Sequence, residues 1–134
     1  LNDKAVAGVD SDGDGIRDDI QRWINETYSS RPKVKMAMRE IAMGKQLDLL
    51  SVGNKEQSVI AGKKMLDNYH CLYSIVGLDA GAKLGRELES KLLNTKDRLY
   101  SDIKADANFS GQAYESPITP EGDKALCAFN PDSL

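Results

Sequence analysis

A chain of 134 residues, 40% hydrophobic and 29% charged, has the size and make-up of one globular domain with one core. Its net charge of −3 is concentrated at one end: residues 1–20 hold six acids against Lys4 and Arg17, a local balance of −4, which leaves the other 114 residues near +1. No basic field suits a nucleic-acid backbone, and no stretch approaches the ~20 apolar residues of a membrane span.

Residues 1–9 lack periodicity and are expected to form an irregular arm. The next stretch, "GVDSDGDGIRDDIQRWI" (Gly8–Ile24), places five aspartates between positions 10 and 19. Like charges this close repel, and a bound cation is the simplest compensation. With Asp10 as the first ligand, Asp12 and Asp14 follow at alternate positions, and Gly15 falls where the chain must turn sharply. Ile16 offers its backbone carbonyl, Asp18 follows at the ninth position, and Gln21 stands at the twelfth. Oxygen donors alone, with neither His nor Cys among them, point to Ca²⁺ and away from zinc. Asp18 and Asp19 would also favour a helix start through the helix dipole without any metal.

A helix is expected to leave this loop at about Arg17, with Ile16, Ile20, Trp23, Ile24, Thr27 and Tyr28 on its inner face. Ser30 and Pro32 open a second helix, from about Pro32 to Leu50, with Ser30 as its cap. Val34, Ala37, Met38, Ile41 and Ala42 form its apolar stripe, widened by Met36, Met43, Leu47 and Leu50. A third helix runs from about Lys55 to Val76 on Val59, Gly62, Leu66, Tyr69, Tyr73 and Val76, and Gly77 ends it. A fourth, about Asp79 to Leu93, repeats Leu84, Leu88 and Leu92. After the stop and cap at Asn94 and Thr95, a fifth helix uses Leu99, Ile103 and Ala107 as its inner face. The composition then turns to Gly, Ser and Pro, and a short last helix is expected from Thr119 and Pro120 to near Phe129.

No strand pattern occurs. The expected fold is all-α: about five helices in an irregular bundle spanning 1–134 as one domain. It divides into an arm at 1–9, the loop at 10–21 and a mostly irregular tail at 110–134. Cys71 and Cys127 allow one intramolecular bridge, which would pin the tail to the bundle and imply an oxidising compartment.

The stretch "DSDGDGIRDD" resembles the EF-hand-like calcium loops of dockerin modules, thrombospondin type 3 repeats and many bacterial secreted proteins. The likeness covers about twelve residues, with Gln21 in place of the usual bidentate Glu, no clear entering helix and no second loop. Asp19 is a candidate to compensate for Gln21. Together with "NTKDRLY" (Asn94–Tyr100), the chain is also similar to uncharacterised exported or lipoprotein-like helical proteins of Gram-negative bacteria. The resemblance implies a Ca²⁺ site at Asp10, Asp12, Asp14, Ile16, Asp18 and Gln21 and an extracytoplasmic location. Because the sequence starts at Leu1, an upstream export signal or lipid anchor is expected to precede it.

The expected role is non-catalytic: binding an unknown protein or envelope component, or a structural part of the envelope. The alternatives are a small cell-wall-acting hydrolase with structural calcium and a dockerin-like docking module. His70 beside Cys71 is poorly placed as a nucleophile pair, since helix neighbours diverge by about 100°. Glu40 lacks a second carboxylate. Met36, Met38, Met43 and Met65 read as core filling before they read as a partner groove.

Overall fold

In the computed structural model, residues 2–134 are described, and all regular structure among them is helical. The elements are α1 (Asp18–Thr27), α2 (Pro32–Leu50), α3 (Lys55–Val76), α4 (Leu78–Leu92), α5 (Lys96–Phe109), α6 (Pro120–Ala125) and a 3₁₀ turn at Pro131–Ser133. The expected starts of α3, α5 and α6 are set by side-chain caps. Asn54 accepts from the Gln57 N–H, Thr95 from the Arg98 N–H and Thr119 from the Gly122 N–H. α2 starts differently: Ser30 does not cap it, and Pro32, whose missing N–H is harmless in a first turn, opens the helix after Arg31.

α2 and α3 run antiparallel as the spine. The Asn68 side chain donates to the Glu40 carbonyl (3.0 Å), and Gly44 lies against Met65. Ile16, Ile20, Ile24 and Tyr28 pack from α1 and the loop before it onto Val34, Met38 and Ile41 of α2. Leu72, Leu88 and Leu92 close the other side of this core. α3 and α4 meet across Gly77 alone, whose φ of 88° lets one residue end the first helix and cap the second.

Several faces differ from their periodicity. On α5, Leu99 and Ile103 are exposed, and Arg98 and Ala105 are the buried residues. This helix is turned over because its polar side chains have stronger partners inside: Arg98 binds the N-terminal arm and Asp102 pairs with Lys45 of α2. Leu47 and Leu50 of α2 likewise face out, while Lys45 and Asp48 are buried. On α3 the buried seam carries Ser58, Ala61, Gly62 and Asn68 as well as Cys71 and Leu72. Tyr69 and Tyr73 flank it, pressed on Gly85 and Gly81 of α4.

The C-terminal tail is fastened to α3. Cys71 and Cys127 form a disulfide. His70 Nδ1 lies 2.9 Å from Asp123 Oδ1, its ring stacks on Tyr114, and the Tyr114 hydroxyl donates to Asp67 (2.6 Å). The bridge closes a span of 56 residues. Reduction is therefore expected to lower the unfolding free energy by about 4 kcal/mol, read from urea unfolding with and without reductant.

Asp48 makes a second prediction. Burial pushes its carboxyl up to about 6 from 3.8, opposed by Lys45 and reinforced by Asp102 and Asp106. Below the unfolded value the acid is protonated in both states and nothing is lost. As pH rises through the folded value, the native state takes on a buried charge that the unfolded chain keeps in water. This is a loss of roughly 2–3 kcal/mol by about pH 7. Asp48→Asn is expected to raise urea-measured stability at neutral pH and to leave it unchanged near pH 4.

Candidate metal centre

The aspartate loop is shaped by its own carboxylates. Asp10 accepts from the N–H groups of Gly13 (3.1 Å) and Gly15 (2.9 Å), Asp12 from Asp14 (3.2 Å) and Asp14 from Ile16 (2.9 Å). The two glycines have φ of 68° and 87°, a left-handed backbone that lets the loop curl back on Asp10. Asp18 closes the ring from the first turn of α1, accepting from the Ser11 N–H (2.9 Å) and the Ser11 hydroxyl (2.5 Å). Ile16 sends its side chain into the core, which leaves its backbone at the loop.

One carboxylate oxygen from each of Asp10, Asp12 and Asp18 lies within 4.8 Å of the others. Two oxygens on a single Ca²⁺ at about 2.4 Å are at most about 4.8 Å apart, so the spacing of the three is compatible with a shared ion. Gln21 borders the same surface hollow, of about 250 Å³, with Asp12 and Asp18, as do Asn25 and Arg22. Asp14 stands aside from the triad. One of its oxygens caps Ile16, and the other has no hydrogen bond and lies 3.6 Å from Arg39 of α2.

Burial, then the charges of Asp12 and Asp10, holds the Asp14 carboxyl above its ordinary value. The Asp14 N–H instead draws Asp12 below its own. Asp19 turns away from the loop to the guanidinium of Arg17 (2.9 and 3.0 Å). Burial alone would raise its acid, but the Arg17 hydrogen bonds and charge bring it below the usual value. It is therefore not available to stand in for Gln21.

Behind the loop lies a feature that hydrophobic periodicity does not reveal. Arg17 and Arg98 are both fully buried. Arg17 donates to the Leu92 (2.9 Å) and Lys91 (3.1 Å) carbonyls at the C-terminal end of α4. Arg98 donates to the carbonyls of Asn2 (2.5 Å), Ala5 and Val6 (3.3 Å each) and to the Asp3 carboxylate (3.1 Å). The Asn94 side-chain oxygen accepts from both, at 3.5 Å from Arg17 and 2.7 Å from Arg98.

The arm at residues 2–9 is thus wrapped around Arg98. It is held further by Gln46 donating to the Ala7 carbonyl (2.8 Å) and by the Asn2 side chain accepting from the Val9 N–H (2.9 Å). Gly8, at φ 64°, lies on the Arg17 stem, where a Cβ would come within 2.6 Å of Cδ. The readable signal was the pair of arginines beside polar turn residues, Arg17 in the loop and Asn94 with Arg98 in "NTKDRLY".

Arg98→Ala is expected to cost about 3 kcal/mol of stability and to free the arm, seen as faster hydrogen exchange at the Val9 amide. Arg98→Lys should not restore either, because one ammonium cannot reach five carbonyl, carboxamide and carboxylate acceptors spread over a planar fork.

No protein-family model, curated protein or solved structure matches the chain.

Proposed function

We propose that the chain is an exported, calcium-stabilised helical domain with a binding or structural role at the cell envelope and no catalytic one. The observation that supports this reading is the convergence of one carboxylate oxygen each from Asp10, Asp12 and Asp18 to within 4.8 Å of one another, a spacing compatible with one Ca²⁺. Ser11 hydrogen-bonds Asp18 but brings no charge to offset the three carboxylates. Asp14 and Gln21 stand near enough to serve as outer ligands through water, and the Ile16 carbonyl completes the expected set. The Cys71–Cys127 disulfide supports a location outside the cytoplasm, where such bonds persist.

The two alternatives have less support. A dockerin-like module needs a second loop, and one acidic group of this kind occurs among the described residues. A hydrolase needs two carboxyls whose acidities are pushed apart, one as acid and one as base. Asp48 and Asp106 share a cavity, yet burial pushes both acids the same way, upward.

Thermal unfolding of the oxidised protein tests the calcium reading. The midpoint is expected to rise in Ca²⁺ relative to EDTA, by about 2.7 kcal/mol of stability at a hundredfold excess over Kd. Mg²⁺ should do less. The double variant Asp12→Asn, Asp18→Asn should lose the response. An unchanged midpoint in millimolar Ca²⁺ would reject the metal site and leave the loop as an acidic helix cap.

A further inference from the structure

The second concentration of acid lies away from the loop, where the last turns of α2 and α5 meet α3. Here Met65, Leu66, Ala105 and Phe109 wall a cavity of about 360 Å³ with two carboxylates in its lining, Asp48 and Asp106. Asp48 is 4% exposed. Among the described residues its carboxylate is held by no ion pair, and its oxygens are not sealed in the interior but open on the cavity. Lys45, one turn earlier on α2, is committed elsewhere: it pairs with Asp102 and stands 3.9 Å from Glu89. A buried carboxylate without an ion-pair partner is costly, and such groups in native folds call for an explanation.

Helix geometry adds to the cost. Asp48 lies in the last turn of α2 and Asp106 in that of α5, where the helix dipole disfavours negative charge and favours positive. Neither last turn carries a basic residue. Ser110, the C-cap of α5, is itself part of the cavity wall. Two carboxylates and the negative ends of two helices therefore converge on one apolar cavity, and the cation that acts on both, Lys45, is ion-paired with Asp102.

We infer that this cavity binds a small organic cation, an alkyl- or arylalkyl-ammonium, with its charged head between Asp48 and Asp106 and its apolar body against Met65, Leu66 and Phe109. A metal ion would leave those apolar walls unused, and a neutral apolar ligand would leave both carboxylates uncompensated. Burial, which makes both carboxyls weaker acids, is the penalty that such a head would relieve. The site is separate from the aspartate loop, so it stands whether or not the loop binds calcium.

The test is an amide NMR titration of the oxidised protein at about pH 7.5, above the value of about 6 to which burial pushes Asp48. The probes are phenethylammonium chloride and its neutral counterpart 2-phenylethanol, each in Ca²⁺ and again in EDTA. The ammonium is expected to give saturable shifts at Asp48, Gly62, Ala105, Phe109 and Ser110, with at least about tenfold higher affinity than the alcohol. Asp48→Asn, which removes an unpartnered charge and should fold, and Asp106→Asn, at the exposed rim, should each weaken the ammonium about tenfold and leave the alcohol unchanged. Equal affinity for the two probes would overturn the proposal, as would no saturable shift up to about 20 mM. Full ammonium affinity in both variants would also overturn it.

Discussion

The structure depends on two buried guanidinium groups that share one asparagine. Arg17 and Arg98 come from segments far apart in sequence, and Asn94 in the α4–α5 turn accepts from both. A buried arginine is tolerable only if its five donors are met, and here backbone carbonyls and the side chains of Asp3, Asp19 and Asn94 meet them. Arg17 also sets its positive charge against the last carbonyls of α4, where the helix dipole favours it. The consequence is mechanical. The aspartate loop contains Arg17, the arm folds over Arg98, and both are referred to the same corner of the bundle.

That arrangement gives the acidic loop a fixed platform. Ile16 and Arg17, adjacent in the loop, both point inward, one into the hydrophobic core and one into the polar clamp. The carboxylates between Asp10 and Asp18 are left on the outside with their backbone geometry already set by Asx turns. An ion bound there would need little ordering of the chain, so most of its binding free energy would appear as stability of α1 and the arm. Asp19 shows the division of labour. It is adjacent to Asp18, yet it serves Arg17 while Asp18 faces the loop.

Much of this was legible in the sequence where local chemistry decides. Thr95 and Thr119 mark helix starts because a side-chain oxygen must satisfy a free N–H, and Gly77 marks a break because only glycine takes its φ easily. The Asp–Gly alternation likewise announces a curled loop. What could not be read is which face of a helix is inside when polar side chains have long-range partners. Leu99 and Ile103 make a convincing apolar stripe, but Arg98 and Asp102 have partners at Asn2 and Lys45, far away in sequence. Leu47 and Leu50 were misread for the same reason beside Lys45 and Asp48. The Cys71–Cys127 pairing was legible because two cysteines permit one bridge. The His70–Asp123 and Tyr114–Asp67 contacts that accompany it were not.

The misread faces and the acid cavity have one origin. Lys45 and Asp102 pair in the interior between α2 and α5, and that pairing fixes how both helices are rotated. Once the rotation is fixed, residues one turn further along each helix must share the same environment. Asp48 follows Lys45 by three positions and Asp106 follows Asp102 by four, so both acids are carried to the same side, at the ends of their helices. A leucine at position 48 would relieve the burial cost without disturbing the Lys45–Asp102 pair. The chain instead keeps a carboxylate where burial and helix dipole oppose it and the nearest cation, Lys45, is already paired with Asp102. A carboxylate held against both, in a cavity large enough for a small molecule, is the pattern expected of a group retained for what it binds rather than for what it stabilises.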